Sequence, residues 1–310
     1  MIRNVRNIKL IAVLGILILG YAGLRFFKNT NRSSSFRAEL VTIDTSKVDK
    51  LVILKGGDSF EVLKEQSGWK VMIGNNKTAE ASSVSVRNAM ISLLGIKPNR
   101  IATRDPEKWS DYQTDSSGTR VQVFEGNNNV LDLIIGRFGM RGNQQFHTFV
   151  RLSEDNEVYA ADNFMGMTFP SDPAGYRNTN FLQTNIDSIS QVVFRYPGDS
   201  SFILKRADEK WQVGVKFADS TNVLDYLSNL RFVTNSNFVD DIEPAALINP
   251  TFSIEINGNS SESVLAEAFS HPKYGYILHS SENPKSYFSD NSLAEKIFIK
   301  QSDLFDVSIE

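Results

Sequence analysis

The chain has 310 residues, 41% of them hydrophobic, no cysteine and a formal net charge of −3. That length suits two compact units, each able to bury a core without metal or disulfide help. The missing thiols exclude structural disulfides, a cysteine nucleophile and a cysteine-ligated zinc.

Residues 1–37 hold seven basic residues and no acidic one, so the remainder carries −10, a charge that weighs against nucleic-acid binding. Within that basic segment, residues 10–24 contain no charge, and Ile8, Phe26 and Phe27 lengthen the apolar run if Lys9 and Arg25 reach toward the headgroups. The span is long enough for a bilayer core of roughly 30 Å. A cleavable signal peptide, with Gly20-Tyr21-Ala22 as its small-x-small site, competes with an uncleaved anchor whose apolar residues continue past that site. We adopt the anchor over residues 1–28, followed by a flexible tether over 29–37, with the soluble part outside the cytoplasm.

After the tether, Lys50–Lys55 and residues 60–65 are β-rich runs joined by Gly56-Gly57-Asp58-Ser59, a hairpin signal, and residues 69–73 predict a third strand. Ser82 or Ser83 is placed to cap a helix that Gly95 ends; its apolar residues Val86, Ala89, Met90 and Leu93 share one face. Strand patterns return at 119–125, 130–135, 149–152 and 157–161. They return again at 252–256, 264–269, 276–279 and 286–289.

The landmarks occur twice in the same order. Leu51-Val52-Ile53-Leu54, Gly57-Asp58, Phe60 and Trp69-Lys70-Val71 match Val192-Val193-Phe194, Gly198-Asp199, Phe202 and Trp211-Gln212-Val213, and each tryptophan precedes a helix-like segment. The pattern predicts an internal duplication. The predicted fold class is α+β, a transmembrane helix followed by two related, mainly antiparallel sheet-plus-helix units at 38–164 and 186–310, with a bridge at 165–185. Trp69 and Trp211 are expected to anchor the two cores.

The opening Phe36-Arg37-Ala38-Glu39-Leu40, the strands Gly68-Trp69-Lys70-Val71 and Leu133-Ile134-Ile135-Gly136, the hairpin Asn156-Glu157-Val158-Tyr159 and the bridge Tyr176-Arg177-Asn178 resemble the bacterial domain of unknown function family 4340. The chain departs from the family's pattern at Tyr112-Gln113-Thr114-Asp115, where a Tyr-Gly-Leu phrase is usual. The resemblance implies a membrane-anchored envelope protein of unassigned activity, often encoded near ABC-type transport or gliding-associated components, and supplies no catalytic residue.

Chemistry is hard to find. Gly136-Arg137-Phe138-Gly139-Met140-Arg141-Gly142 matches neither a dinucleotide fingerprint nor a P-loop and reads as a loop. Arg137, Phe138, Met140, Arg141 and Phe146 give that loop the composition of a partner-binding surface. Its counterpart at 270–273 reads as much shorter, which makes the loop a specialisation of the first unit. His147, His271 and His279 lack metal-site spacing, and the carboxylates Glu154, Asp155 and Glu157 lack that of a calcium loop. No metal or cofactor is expected. Asp105, Glu107, Asp111 and Asp115 are the carboxylates from which an acid/base pair could be drawn.

The leading expectation is a noncatalytic binding or scaffold protein of the cell envelope, accessory to an ABC-type transport or gliding-associated complex, with envelope or inner-membrane proteins as partners. An envelope glycan hydrolase using paired carboxylates and a small-ligand-binding module are the alternatives.

Overall fold

The computed structural model describes residues 36–74, 77–141, 145–258 and 263–306. The expected anchor and nearly all of the tether lie outside those residues. No helix among the described residues is long and apolar enough to cross a membrane.

In chain order, β1 (Lys50–Lys55) and β2 (Asp58–Glu65) are separated only by Gly56 and Gly57, at φ 61° and 94°. This is the two-residue turn whose twist matches paired strands and which glycine alone adopts without strain. β3 (Gly68–Met72) and β4 (Thr78–Glu80) continue the meander into α1 (Ser83–Leu94). Ser82 Oγ caps α1 by accepting from the Ser85 N–H at 3.2 Å. Then come β5 (Pro98–Thr103), two 3-10 turns (Pro106–Lys108 and Ser110–Tyr112), β6 (Thr119–Glu125), β7 (Asn128–Arg141), β8 (Gln145–Leu152) and β9 (Val158–Asp162). The rest comprises β10 (Asn180–Gln183), β11 (Ile189–Arg195), β12 (Phe202–Ala207), β13 (Lys210–Val213), β14 (Lys216–Phe217), α2 (Ser220–Asn229), β15 (Phe232–Thr234), β16 (Phe252–Gly258), β17 (Val264–His271), β18 (Gly275–Ser280) and α3 (Asn291–Ile297). The fold is strand-rich and mainly antiparallel with a few helices, in the α+β manner expected.

By contacts the chain divides into two compact units. One comprises Met1–Val48, Leu54–Gly57 and Ile91–Phe169; the other comprises Asp49–Ile53, Asp58–Met90 and Pro170–Glu310. In the first, strands run in the order β6-β7-β8-β9-β5, each antiparallel to its neighbour. Alternate residues of β6, Val121 and Val123, are fully buried, as a half-covered strand requires. A small cluster of Phe149, Val158 and Ala160 packs against Ala102, Trp109 and Tyr112.

In the second unit a sheet of order β14-β13-β12-β11-β16-β17-β18 carries the larger core. Val192, Phe194, Leu204, Ile254 and Ile256 of its strands bury against Val223, Tyr226 and Leu227 of α2. Asp219 caps α2 by accepting from the Thr221 and Asn222 N–H groups. Also in this unit, residues 176–178 lie along the end of β4: Ser82 N–H donates to Tyr176 O at 2.7 Å, and Asn178 N–H donates to Glu80 O at 2.8 Å. Arg177, buried, lies 3.5 Å over the Phe238 ring and donates to Asp240 Oδ2 at 2.7 Å.

Several expectations are corrected. Trp69, at the turn end of β3, is only half-buried and sits opposite Lys64, whose Nζ is 5.9 Å from the ring, whereas Trp211, also half-buried, does pack against the core of the second unit. The strand expected at 286–289 reduces to single-residue bridges from Phe288 to Leu278 and Phe238. Helix α3, capped by Asp290, was hidden by its short length.

Candidate functional site

The expected loop after Gly136 is strand. β7 runs 14 residues, and its pairing with β8 continues through Phe138↔Thr148, Gly139↔His147 and Met140↔Phe146 to Arg141↔Gln145. Glycines and arginines mask the alternation in sequence, yet each glycine is explained by close approach. A Cβ on Gly136 would lie 2.3 Å from Tyr112 O, and one on Gly139 would lie 2.7 Å from His147 Nε2. The connection to β8, residues 142–144, is no longer than that between β17 and β18, residues 272–274. What distinguishes the hairpin is strand length, 14 residues in β7 against 8 in β17.

Because strand side chains alternate between faces, this hairpin divides the expected patch. Phe138, Met140 and Phe146 share the face of Thr148. Phe138 and Phe146 stack with centroids 6.0 Å apart, and Met140 is 63% exposed. Farther along the same face, Thr148 Oγ1 donates to Phe164 O at 2.6 Å and accepts from the Gly166 N–H at 3.0 Å, so the apolar surface is confined to the distal part. Arg137 stands on the other face, at the bulge between Ile135 and Phe138. Its Nε donates to Asp111 O at 2.6 Å and its guanidinium is 5.0 Å from the Phe149 centroid. Arg141 is the last residue of β7.

This second face was not legible as a unit in the sequence. β8 presents His147, Phe149 and Arg151 there in alternation. His147 and Tyr112 meet the Phe149 ring edge-on at 4.8 and 4.6 Å, and Arg100 of β5 reaches it at 6.0 Å. Arg151, 4% exposed, lies 3.6 Å over Trp109 and donates to the carbonyls of Thr114, Leu152, Ser153 and Asp155. Burial pushes its guanidinium pKa below the ordinary value. The period-two spacing of His147, Phe149 and Arg151 was the one available signal.

Several of the acidic residues have structural duties, and none of Asp105, Glu107, Asp111 and Asp115 is bonded to a second carboxylate as an acid/base pair would be; Glu107 and Asp111 engage through their backbone N–H and C=O. Asp105 Oδ1 accepts from the Glu107 N–H, and Asp115 Oδ1 accepts from the Ser117 N–H and hydroxyl. The Ser117 bonds hold the Asp115 carboxyl below its usual range, the reverse of what a general acid needs. Glu157 pairs with Arg104 at 2.9 Å and Asp155 with Arg37 at 3.1 Å. A cleft of about 330 Å³ opens beside Arg37, Asp132, Glu154 and Asp155. Asp132 is already held by Arg120 at 2.6 and 2.7 Å and by Gln122 at 2.8 Å. Burial raises its carboxyl pKa, but those bonds outweigh burial and leave it lowered.

The three histidines stand in separate settings. His147 is buried beside Phe149, His271 Nδ1 accepts from the Lys273 N–H, and His279 lies 3.2 Å from Glu267 and stacks on Tyr287. Among the described residues no group of three or more His, Cys, Asp or Glu side chains could hold a metal ion.

The chain belongs to the family described as domain of unknown function (DUF4340), whose model matches residues 75–250, more than half of its length. No curated protein and no solved structure matches it.

Proposed function

We propose that this chain is a noncatalytic scaffold, held at the cytoplasmic membrane by residues 1–28 with the remainder outside the cytoplasm. In this reading it binds envelope or inner-membrane proteins as an accessory of an ABC-type transport or gliding-associated complex. The observation that carries the binding role is the distal β7–β8 hairpin, where Phe138 and Phe146 stack and Met140 is 63% exposed. Aromatic and methionine side chains on a surface are what protein interfaces select. The uncharged run at 10–24 supports the anchor.

We also read the chain as an internal duplication with halves at 38–164 and 186–310. The meander β4-β3-β2-β1 followed by α1 has the same order as β14-β13-β12-β11 followed by α2, and β6-β7-β8 has that of β16-β17-β18. On that reading the lengthened hairpin is an addition to the first copy.

The test is crosslinking and recovery of the full chain from native membranes. The double substitution Phe138→Ala and Met140→Ala should lose partners that wild type recovers, while joint replacement of His147, His271 and His279 should not. Full recovery by the hairpin variant would overturn the site. An impermeant maleimide should label a Ser34→Cys variant in intact cells, and labelling only after lysis would reverse the orientation.

A further inference from the structure

We propose that Arg100 and Arg137 form a clasp for a phosphate-type oxyanion on the face of the sheet opposite Phe138 and Met140. Register places them there. Arg100 of β5 pairs with Ala160 of β9, and Ala160 pairs with Phe149 of β8, so the three form one cross-strand row on one face. Arg137, at the β7 bulge, extends that row beyond Phe149. The two guanidiniums thus lie 6.0 and 5.0 Å from the centroid of one ring.

Phe149 is only 4% exposed, whereas both arginines that approach its ring are exposed and open to a ligand from solvent. One contact fixes Arg137 without neutralising it: its Nε donates to the backbone O of Asp111. That bond leaves its terminal nitrogens as fork-like donors suited to planar or tetrahedral oxyanions. Among the described residues no carboxylate lies within ion-pair distance of either guanidinium, although Arg104, Arg120, Arg177 and Arg195 each have one.

Two like charges over one ring repel each other, and an anion seated between them would offset that repulsion. A single carboxylate matches one guanidinium; a phosphate monoester, close to doubly charged at neutral pH, matches both. Two carboxylates stand in the neighbourhood: Asp162, in the His147 row, is engaged by Asn99 Nδ2, and Asp111 belongs to the residue whose backbone O holds Arg137, but neither is paired with either guanidinium. The acidic remainder of the chain opposes any anion at long range, but salt at physiological strength screens beyond about 8 Å.

The phosphate could be free or a lipid headgroup, and calorimetry separates the two. The purified full chain is titrated at physiological ionic strength with inorganic phosphate, with soluble short-chain phosphatidic acid, and with the matching phosphatidylcholine as control. At least one of the first two should bind and the control should not; preference for phosphatidic acid over phosphate would identify the headgroup. Arg100→Ala, which removes no hydrogen bond of the fold, and Arg137→Ala should each weaken that binding about 10- to 100-fold, the loss expected for a charge-assisted hydrogen-bond pair. Absence of heat with both phosphates, or unchanged affinity in Arg100→Ala, would overturn the proposal.

Discussion

Replacing Arg151 tests whether the first unit depends on one buried cation. In Arg151→Ala the carbonyl of Thr114, bonded at 3.0 Å in a buried setting, is left without its donor. That loss costs about 1–3 kcal/mol. The stack 3.6 Å above Trp109 is lost too, at about 1 kcal/mol, and so is the buried stem, at about 1–2 kcal/mol. The carbonyls of Leu152, Ser153 and Asp155 are partly exposed and can turn to water, so they add little. The total should be roughly 3–6 kcal/mol. Arg151→Lys keeps the charge but cannot fork to both sides, and should cost about 2 kcal/mol. Urea unfolding followed by tryptophan fluorescence and circular dichroism measures both. A loss under about 1 kcal/mol for alanine, or wild-type stability for lysine, would mean that the first unit does not depend on this cation.

Gly136→Ala places a Cβ 2.3 Å from Tyr112 O and should lower stability by about 2–4 kcal/mol in thermal unfolding, because neither backbone can yield freely. Trp211→Ala, removing a ring packed partly on the larger core, should cost about 2 kcal/mol, and Trp69→Ala about 1 kcal/mol, as denaturant midpoints would report. Asp132 has a lowered folded-state pKa. Its contribution is therefore complete above the unfolded value of about 3.9 and vanishes as pH falls through the folded one. With Arg120 partly exposed, the ion pair contributes only about 1 kcal/mol, and Asp132→Asn should flatten the stability–pH curve in the acid range.

Much of the fold could be read from side-chain alternation and turn chemistry. Gly56-Gly57 announced the first hairpin, Ser82 the start of α1 and Gly95 its end, because local geometry alone fixes such positions. The β7–β8 hairpin escaped because Gly136 and Gly139 look like loop residues until Tyr112 O and the His147 ring are known to press against them. Only tertiary contact carries that information. The basic face escaped for a similar reason. Arg100 and Arg137 lie far apart in sequence, and the register of β5, β9 and β8, together with the β7 bulge, brings them to one ring. Trp69 misled through a fair general expectation, since large aromatics usually fill cores, but its place beside a turn leaves one side uncovered.

The backbone bonds from residues 176–178 to the end of β4 bear on how the chain is made. Glu80 and Ser82 emerge from the ribosome long before Tyr176 and Asn178, so that end of β4 waits, its N–H and C=O groups open to any passing strand. Pairings this distant in sequence raise contact order and slow folding. A fragment ending near residue 164 would never receive its closing segment. Such a fragment should aggregate in proportion to its concentration, whereas one extended through residue 178 would carry its own protection against edge-to-edge association.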